Sequence, residues 1–169
     1  MFLGVPLSSL SRALAERYGY RAILMYRNPY VCFWHSVSAV YADTMANRLC
    51  NAMLMAGVGR GERIIVLSEN MPECIYVSLA AYKAGIVVVP VFAGTCMARF
   101  EAIARITGAR LVFAGGAEQY AMAAGLYAKC PTVRRVVVFD PEVAIRKNDK
   151  TSRHIAEFVK NAPERIRQN

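Results

Sequence analysis

The chain has 169 residues, 56% of them hydrophobic, and a formal net charge of +9. That length fits one domain, and that apolar share excludes a disordered polyelectrolyte because it is ample for a packed core. Cys32, Cys50, Cys74, Cys96 and Cys130 are odd in number and widely spaced, which excludes paired zinc thiolates and a secreted disulfide framework; they read as small buried hydrophobes in a reducing compartment.

Met1 to Leu7 is apolar but short, has no basic start and runs into Ser8, Ser9, Ser11 and Arg12, unlike a signal peptide. No window holds ~18 uninterrupted apolar residues, so no membrane-spanning helix is expected. The expected location is cytoplasmic, with peripheral membrane contact as an alternative. Leu10, Ala13, Leu14 and Arg17 recur at helical spacing and predict a first helix over 8–18. Ala22 to Tyr26 and Val31 to Trp34 are strand candidates around a turn at Arg27-Asn28-Pro29-Tyr30, since Asn and Pro both favour turns. The pair predicts a hairpin. A long helix follows, capped by Ser36 or Ser38, because a hydroxyl accepts an otherwise unpaired amide. Val37, Tyr41, Met45, Leu49 and Met53 recur along it, with Val40, Ala52 and Ala56 beside them, and Gly57 ends it.

The pattern then becomes regular. Strands are predicted over 63–67, 86–91, 110–114 and 133–139. Helices are predicted over 72–84, 97–107 and 117–129, the last mildly interrupted by Gly125. Residues 63–139 therefore read β-α-β-α-β-α-β. Strands apolar on both faces, alternating with helices, imply an α/β fold with a parallel sheet covered on both sides. Beyond Pro141 one more short helix is predicted over 152–160. Residues 146–169 carry seven cations and three acids, a balance of +4. They divide the chain into an α/β part, 1–145, and a basic segment, partly helical or frayed. Such a segment reads as a solvated helix or, alternatively, as a contact for an anionic surface.

Groups able to do chemistry are few. His35 and His154 read as structural or solvated, since a general base needs an orienting partner and a reacting proton in reach. Cys32 with His35 lacks any local feature that would stabilise a thiolate. The Gly-x-x-x-x-Gly-Lys-Ser/Thr phosphate loop is absent. Gly57-Val58-Gly59-Arg60-Gly61 follows a helix and opens a strand, the reverse of a dinucleotide loop. Gly115-Gly116 follows a strand and opens a helix, but a third glycine is missing. Parallel sheets bind ligands at the C-terminal ends of their strands. Residues 68–71, 92–95 and 114–116 would line that edge, with Ser68, Asn70, Thr95, Gly115 and Gly116 as candidates for ligand contact.

Between 36 and 114 the sequence resembles a known family. The carrying segments are Ala46-Asn47-Arg48-Leu49-Cys50-Asn51-Ala52-Met53, then Gly61-Glu62-Arg63-Ile64-Ile65-Val66-Leu67-Ser68-Glu69-Asn70, Pro72-Glu73, Lys83-Ala84-Gly85-Ile86-Val87-Val88-Val89-Pro90-Val91, and Gly108-Ala109-Arg110-Leu111-Val112-Phe113. In order and spacing they resemble the N-terminal part of the AMP-forming acyl-CoA synthetases, of the long-chain fatty-acid-CoA ligase type. Glu62 stands where that family usually has Asp, and Ala93-Gly94-Thr95-Cys96-Met97 replaces a segment usually richer in Pro and Thr. The resemblance implies ATP, Mg²⁺ and coenzyme A as cofactors of the complete enzyme and a fatty acid as substrate. It assigns no catalytic residue and no metal ligand here, because the family's Ser/Thr/Gly-rich phosphate loop and catalytic lysine have no counterpart in the sequence. The chain alone is expected to bind no cofactor and to be inactive. An exposed apolar face for self-association or for the other half of a synthetase is expected. A free-standing acyl- or nucleotide-binding module, and an anionic-surface binder acting through the basic segment, are the alternatives; nucleic acid is not expected.

Overall fold

The computed structural model describes residues 4–27 and 33–164. A 3₁₀ turn (Leu7–Ser9) leads into helix α1 (Leu10–Tyr18). A hairpin of β1 (Ala22–Arg27) and β2 (Trp34–Ser38) precedes the long helix α2 (Ala39–Met55). Strands and helices then alternate: β3 (Arg63–Ser68), α3 (Pro72–Ala84), β4 (Val87–Phe92), α4 (Met97–Thr107), β5 (Leu111–Ala114), α5 (Ala117–Ala124) and β6 (Arg135–Val138). A two-residue strand, β7 (Arg153–His154), and a single-turn helix, α6 (Ile155–Phe158), come last. The five strands β3 to β7 pair in parallel in the order β4-β3-β5-β6-β7. The expected α/β fold with a covered parallel sheet is the observed one.

Strand side chains alternate between two faces, and both faces are buried. Ile64, Val66, Leu111, Phe113, Val137 and Phe139 pack on one side against α2 and α3. Ile65, Leu67, Val112, Ala114, Val136 and Val138 pack on the other against Phe100 and Ala104 of α4 and Tyr120 and Ala123 of α5. This double burial is why the strands are apolar at every position rather than at every second one. The buried face of α2 is narrower in side chain than its periodicity implied. Ala39, Ala42, Ala46, Leu49, Cys50 and Met53 are buried, whereas Tyr41 is exposed. The small residues let α2 lie close to its neighbours. Asp43 ties them together: it accepts from Ser11 Oγ of α1 at 2.5 Å and pairs with Lys83 Nζ of α3 at 2.9 Å.

Several expectations need correction. The first helix begins at Leu10, after a 3₁₀ turn, not at Ser8. The second hairpin strand lies at 34–38, because Ser36 pairs with Met25 and Ser38 with Ala22. Ser38 is therefore the cap of α2, its hydroxyl accepting from Tyr41 N at 3.2 Å, and Ser36 is a strand residue. The Asn28–Tyr30 turn, Val31 and Cys32 lie outside the described residues. α5 ends at Ala124, five residues before the predicted end, because Gly125 propagates a helix poorly and the chain turns there to bury Leu126 and Cys130. Cys50 and Cys130 are buried, Cys74 is half-buried and Cys96 is exposed; Cys96 precedes the first turn of α4, outside the core. A solvated helix describes only part of the basic segment. β7 extends the sheet through pairs to β6, and Ser152, Val159 and Ala162 are buried.

Candidate functional site

The parallel strands all end on one side, and the loops leaving them enclose a groove of about 1030 Å³. The β3–α3 loop supplies Glu69, Met71, Pro72 and Glu73; the turn into α5 supplies Gly115, Gly116 and Gln119. The exit of β6 supplies Phe139, Asp140, Pro141 and Glu142, and β1 supplies Tyr26 and Arg27. Local sequence explains the positions. Pro72 opens α3 at the position where a missing amide costs nothing. Gly116 is the N-cap of α5, and Gln119 Oε1 accepts its amide at 3.1 Å. Asp140 folds the β6 exit by accepting from Glu142 N at 3.0 Å.

Of the five residues singled out in the sequence, Gly115 and Gly116 line the groove. Ser68 lies beneath it. A Cβ placed on Gly115 would come within 2.5 Å of Ser68 Oγ and 3.1 Å of Ser68 Cα, so glycine is needed for these two strand ends to approach. The Ser68 hydroxyl donates to Glu69 O at 2.8 Å. Asn70 is exposed between two lining residues, and Thr95 is half-buried in the β4–α4 loop; neither is part of the lining. Gln119 Nε2 reaches Ala93 O of that loop at 3.5 Å. The groove residues that the sequence reading missed are Tyr26, Arg27, Gln119 and the exit of β6. The strand-end rule that named the ends of β3, β4 and β5 also names the end of β6; Tyr26 and Arg27 had no local signal, since they come from a separate sheet.

Four carboxylates, Glu69, Glu73, Asp140 and Glu142, face this groove with one guanidinium, Arg27. Glu73 is the most constrained. Its Oε2 is buried, with no hydrogen-bond partner among the described residues. Burial pushes its carboxyl above the usual range, its own backbone amide offsetting only part of the effect, because the charged form loses water. Glu73 also lines a second recess, of about 400 Å³, with Tyr20, Tyr26, Tyr41, Tyr76 and His35. Desolvation likewise pushes the Tyr76 phenol up.

This lining does not fit a nucleoside triphosphate. A polyanion needs cations and a cradle of donors, whereas the charges here repel it. Among the described residues no three His, Cys, Asp or Glu side chains are grouped to hold a metal ion. The histidines take structural places: His35 stacks on Tyr26 with ring centroids 5.4 Å apart, and His154 Nε2 lies 2.9 Å from Val143 O. The groove has apolar walls in Met71, Pro72, Phe139 and Tyr26, which suit a hydrophobic ligand better than a charged one. No helix among the described residues is long and apolar enough to cross a membrane.

Comparison with known proteins adds three findings. The family model described as AMP-binding enzyme matches residues 12–167. A 3-hydroxybenzoate–CoA ligase of Aromatoleum sp. (strain CIB) is 43% identical over 54 residues, which is 32% of this chain and 10% of that protein. Among solved structures, the anthranilate CoA ligase AuaEII in complex with anthranoyl-AMP superposes with a TM-score of 0.77 at 16% identity over 96% of this chain and 29% of that one. Brucella canis acyl-CoA synthetase superposes with a TM-score of 0.76 at 18% identity over 97% and 29%. At such identities these two likenesses establish the fold alone. The chain thus spans under a third of the solved chains it matches.

Proposed function

From the premise that the chain belongs to the AMP-binding enzyme family, we propose that it is the N-terminal α/β part of an AMP-forming acyl-CoA ligase, a scaffold inactive by itself. The observation that carries the second half is the groove lining, four carboxylates against one guanidinium. Such a lining supports an acid's apolar portion and leaves triphosphate binding to residues outside this chain. ATP, Mg²⁺ and coenzyme A then belong to the complete enzyme, and no residue here is assigned a catalytic role. A long-chain fatty acid is the substrate proposed from the resemblance over 36–114. The 54-residue likeness to a 3-hydroxybenzoate–CoA ligase favours an aromatic acid as the second reading. The exposed Met25, Phe33 and Trp34 of the hairpin are proposed to meet the remainder of such a ligase, or a second copy.

ATP–pyrophosphate exchange with purified chain, Mg²⁺ and either palmitate or 3-hydroxybenzoate tests the scaffold reading. No exchange is expected, and exchange above the protein-free background would overturn it. Calorimetry separates the substrates: heat with palmitate alone supports the fatty-acid reading, heat with 3-hydroxybenzoate alone the aromatic one. Tight ATP binding would contradict the charge argument.

A further inference from the structure

The other end of the sheet, where its strands start, is chemically different. Arg63 opens β3, Arg135 opens β6 and Arg153 opens β7. The amide of Arg110 donates to Arg63 O at 2.9 Å, and that of Arg134 to Arg110 O at 2.8 Å. Arg63, Arg110 and Arg134 thus stand side by side where β3, β5 and β6 start. Helices finish at this end too, and they leave large aliphatic side chains in water. Leu54 and Met55 at the end of α2 are 45% and 67% exposed, and Ile106 at the end of α4 is 86% exposed. Met55 shares a groove of about 460 Å³ with Arg135, Arg153 and Lys160.

Some of these cations have local duties. Arg63 donates to Thr107 O at 2.6 Å and to Gly61 O at 3.1 Å, satisfying carbonyls at a helix end. Among the described residues the nearby acids are engaged: Glu62 with Arg110, Glu101 with Arg105 and Lys129, Glu157 with Arg153, and Asp149 with the donors of Thr151, Ser152 and Tyr120. Arg60, Arg134 and Lys160 are exposed and make no ion pair among the described residues. The Arg60 stem packs over Gly85 and the charge of Arg134 acts on Glu62, but neither contact uses the full charge of these groups, and neither accounts for three exposed aliphatic side chains at the same end. Cations interspersed with aliphatic groups are what an anionic lipid interface binds: phosphates meet the cations while the apolar groups enter the headgroup boundary. A nucleic acid would satisfy the cations but offers aliphatic chains nothing, and its bases prefer aromatic platforms.

We propose that the strand-starting end of the sheet docks peripherally on an anionic lipid bilayer, with Arg60, Arg134 and Lys160 on the headgroups and Leu54, Met55 and Ile106 at the interface. The surface is formed by elements far apart in sequence, beyond the basic segment alone. The acidic groove faces away from the bilayer.

The test is co-sedimentation of the full chain with phosphatidylcholine vesicles, with and without phosphatidylserine. Binding is expected only to the anionic vesicles, falling steeply with salt. The Arg60→Gln, Arg134→Gln, Lys160→Gln triple variant should lose about five-fold per cation, roughly a hundred-fold in all. Met55→Ser with Ile106→Ser should lose about ten-fold and leave a residue of binding that salt abolishes. Arg99→Gln, exposed in the first turn of α4 and so at the opposite end, should bind as the parent does. Circular dichroism checks that each variant is folded. Equal binding to both vesicle types, or full binding by the folded triple variant, overturns the proposal. Tighter binding to duplex DNA than to vesicles, unchanged by the two serines, overturns it in favour of nucleic acid.

Discussion

Where the parallel strands start, Arg63, Arg110 and Arg134 lie in one row at the heads of neighbouring strands; where they end, Glu69, Glu73, Asp140 and Glu142 share a groove with one cation among the described residues, Arg27. The same strands thus join two ends of opposite charge. Helix direction explains part of the contrast. In a β-α-β chain every helix finishes where the next strand starts, so its bare carbonyls collect cations there. Every helix begins where the previous strand ended, so its bare amides favour acids, and Glu73 and Glu118 occupy such first turns. The dipole accounts for neither the exposed Arg60 and Arg134 nor the loop acids Glu69, Asp140 and Glu142. Those excess charges are where function is to be sought.

The largest expected effect comes from an acid that breaks the rule at the basic end. Asp149 accepts from Ser152 Oγ at 2.6 Å, Ser152 N at 2.9 Å, Thr151 Oγ1 at 2.8 Å, Thr151 N at 3.1 Å and Tyr120 Oη at 2.9 Å. It fixes the loop that delivers β7 to the sheet. Asp149→Ala should destabilise the chain by about 3 kcal/mol, from several charge-assisted hydrogen bonds lost together, measured by urea unfolding. Burial opposes ionisation, but the donors outweigh it and draw the carboxyl down to about 2. A carboxyl lowered in the native state stabilises it above the unfolded value. That contribution is therefore full above about pH 4 and fades as pH falls toward 2. Asp149→Asn should remove this part of the acid sensitivity.

Next in size is a contrast between two glycines. Gly115→Val, at the acidic end, drives a Cβ into Ser68, including its backbone, and should cost about 2 kcal/mol by overpacking. Gly108→Ala, at the basic end, meets only the far end of the Arg63 side chain, 3.1 Å away, but must hold a φ of +59°. Its cost should be about 1 kcal/mol, that of left-handed backbone. Thermal unfolding of both variants decides whether space or conformation is the stricter demand.

Glu73 should respond to pH in the direction opposite to Asp149. Its carboxyl is raised in the native state, so the folded chain holds that proton more tightly than the unfolded one. Stability should fall as pH rises from the ordinary glutamate range through the raised native value. Glu73→Gln should abolish this slope and raise stability near neutrality by about 1 kcal/mol, because no desolvated charge remains at that position. Denaturant midpoints from pH 4 to 8 for both proteins would show it; a parallel pair of curves would refute the assignment.

The framework was legible because its signals are local. Pro72 and Gly85 bound α3, and Gly108 ends α4, where helix propagation stops for backbone reasons alone. The apolar runs at 64–67 and 111–114 announced strands buried on both faces. β7 was not legible: two residues, Arg153 and His154, carry no period, and they are a strand only because β6 lies beside them. Likewise Tyr41 matched the apolar repeat of α2 yet faces outward, since alanines take the close contact. The groove was half legible. Glycines at a strand end mark close approach, and they placed Gly115 and Gly116; the acidic lining depends on Glu73 at the start of α3 being brought beside Asp140 and Glu142 at the exit of β6, which spacing along the chain does not encode.

The smallest effect is the most selective for the basic end. Glu62 bridges Gly59 N at 2.8 Å and Arg110 Nε at 3.0 Å, and both lower its carboxyl, the Gly59 amide being the largest single cause and the charge of Arg134 adding to the two. Arg110→Gln should therefore cost only about 0.5 kcal/mol, as partly exposed pairs do, and less at high salt. The Glu62 carboxyl should stay below its ordinary value in that variant, because the Gly59 amide still donates to it; an NMR titration that found it restored would make the ion pair the dominant contact. Glu62→Gln separates the two roles of this residue. It removes the anion that shields the Arg63–Arg110–Arg134 row, so it should weaken the fold slightly while strengthening attraction to anionic vesicles. A loss of vesicle binding in that variant would mean that Glu62 orders the arginine row rather than shielding it.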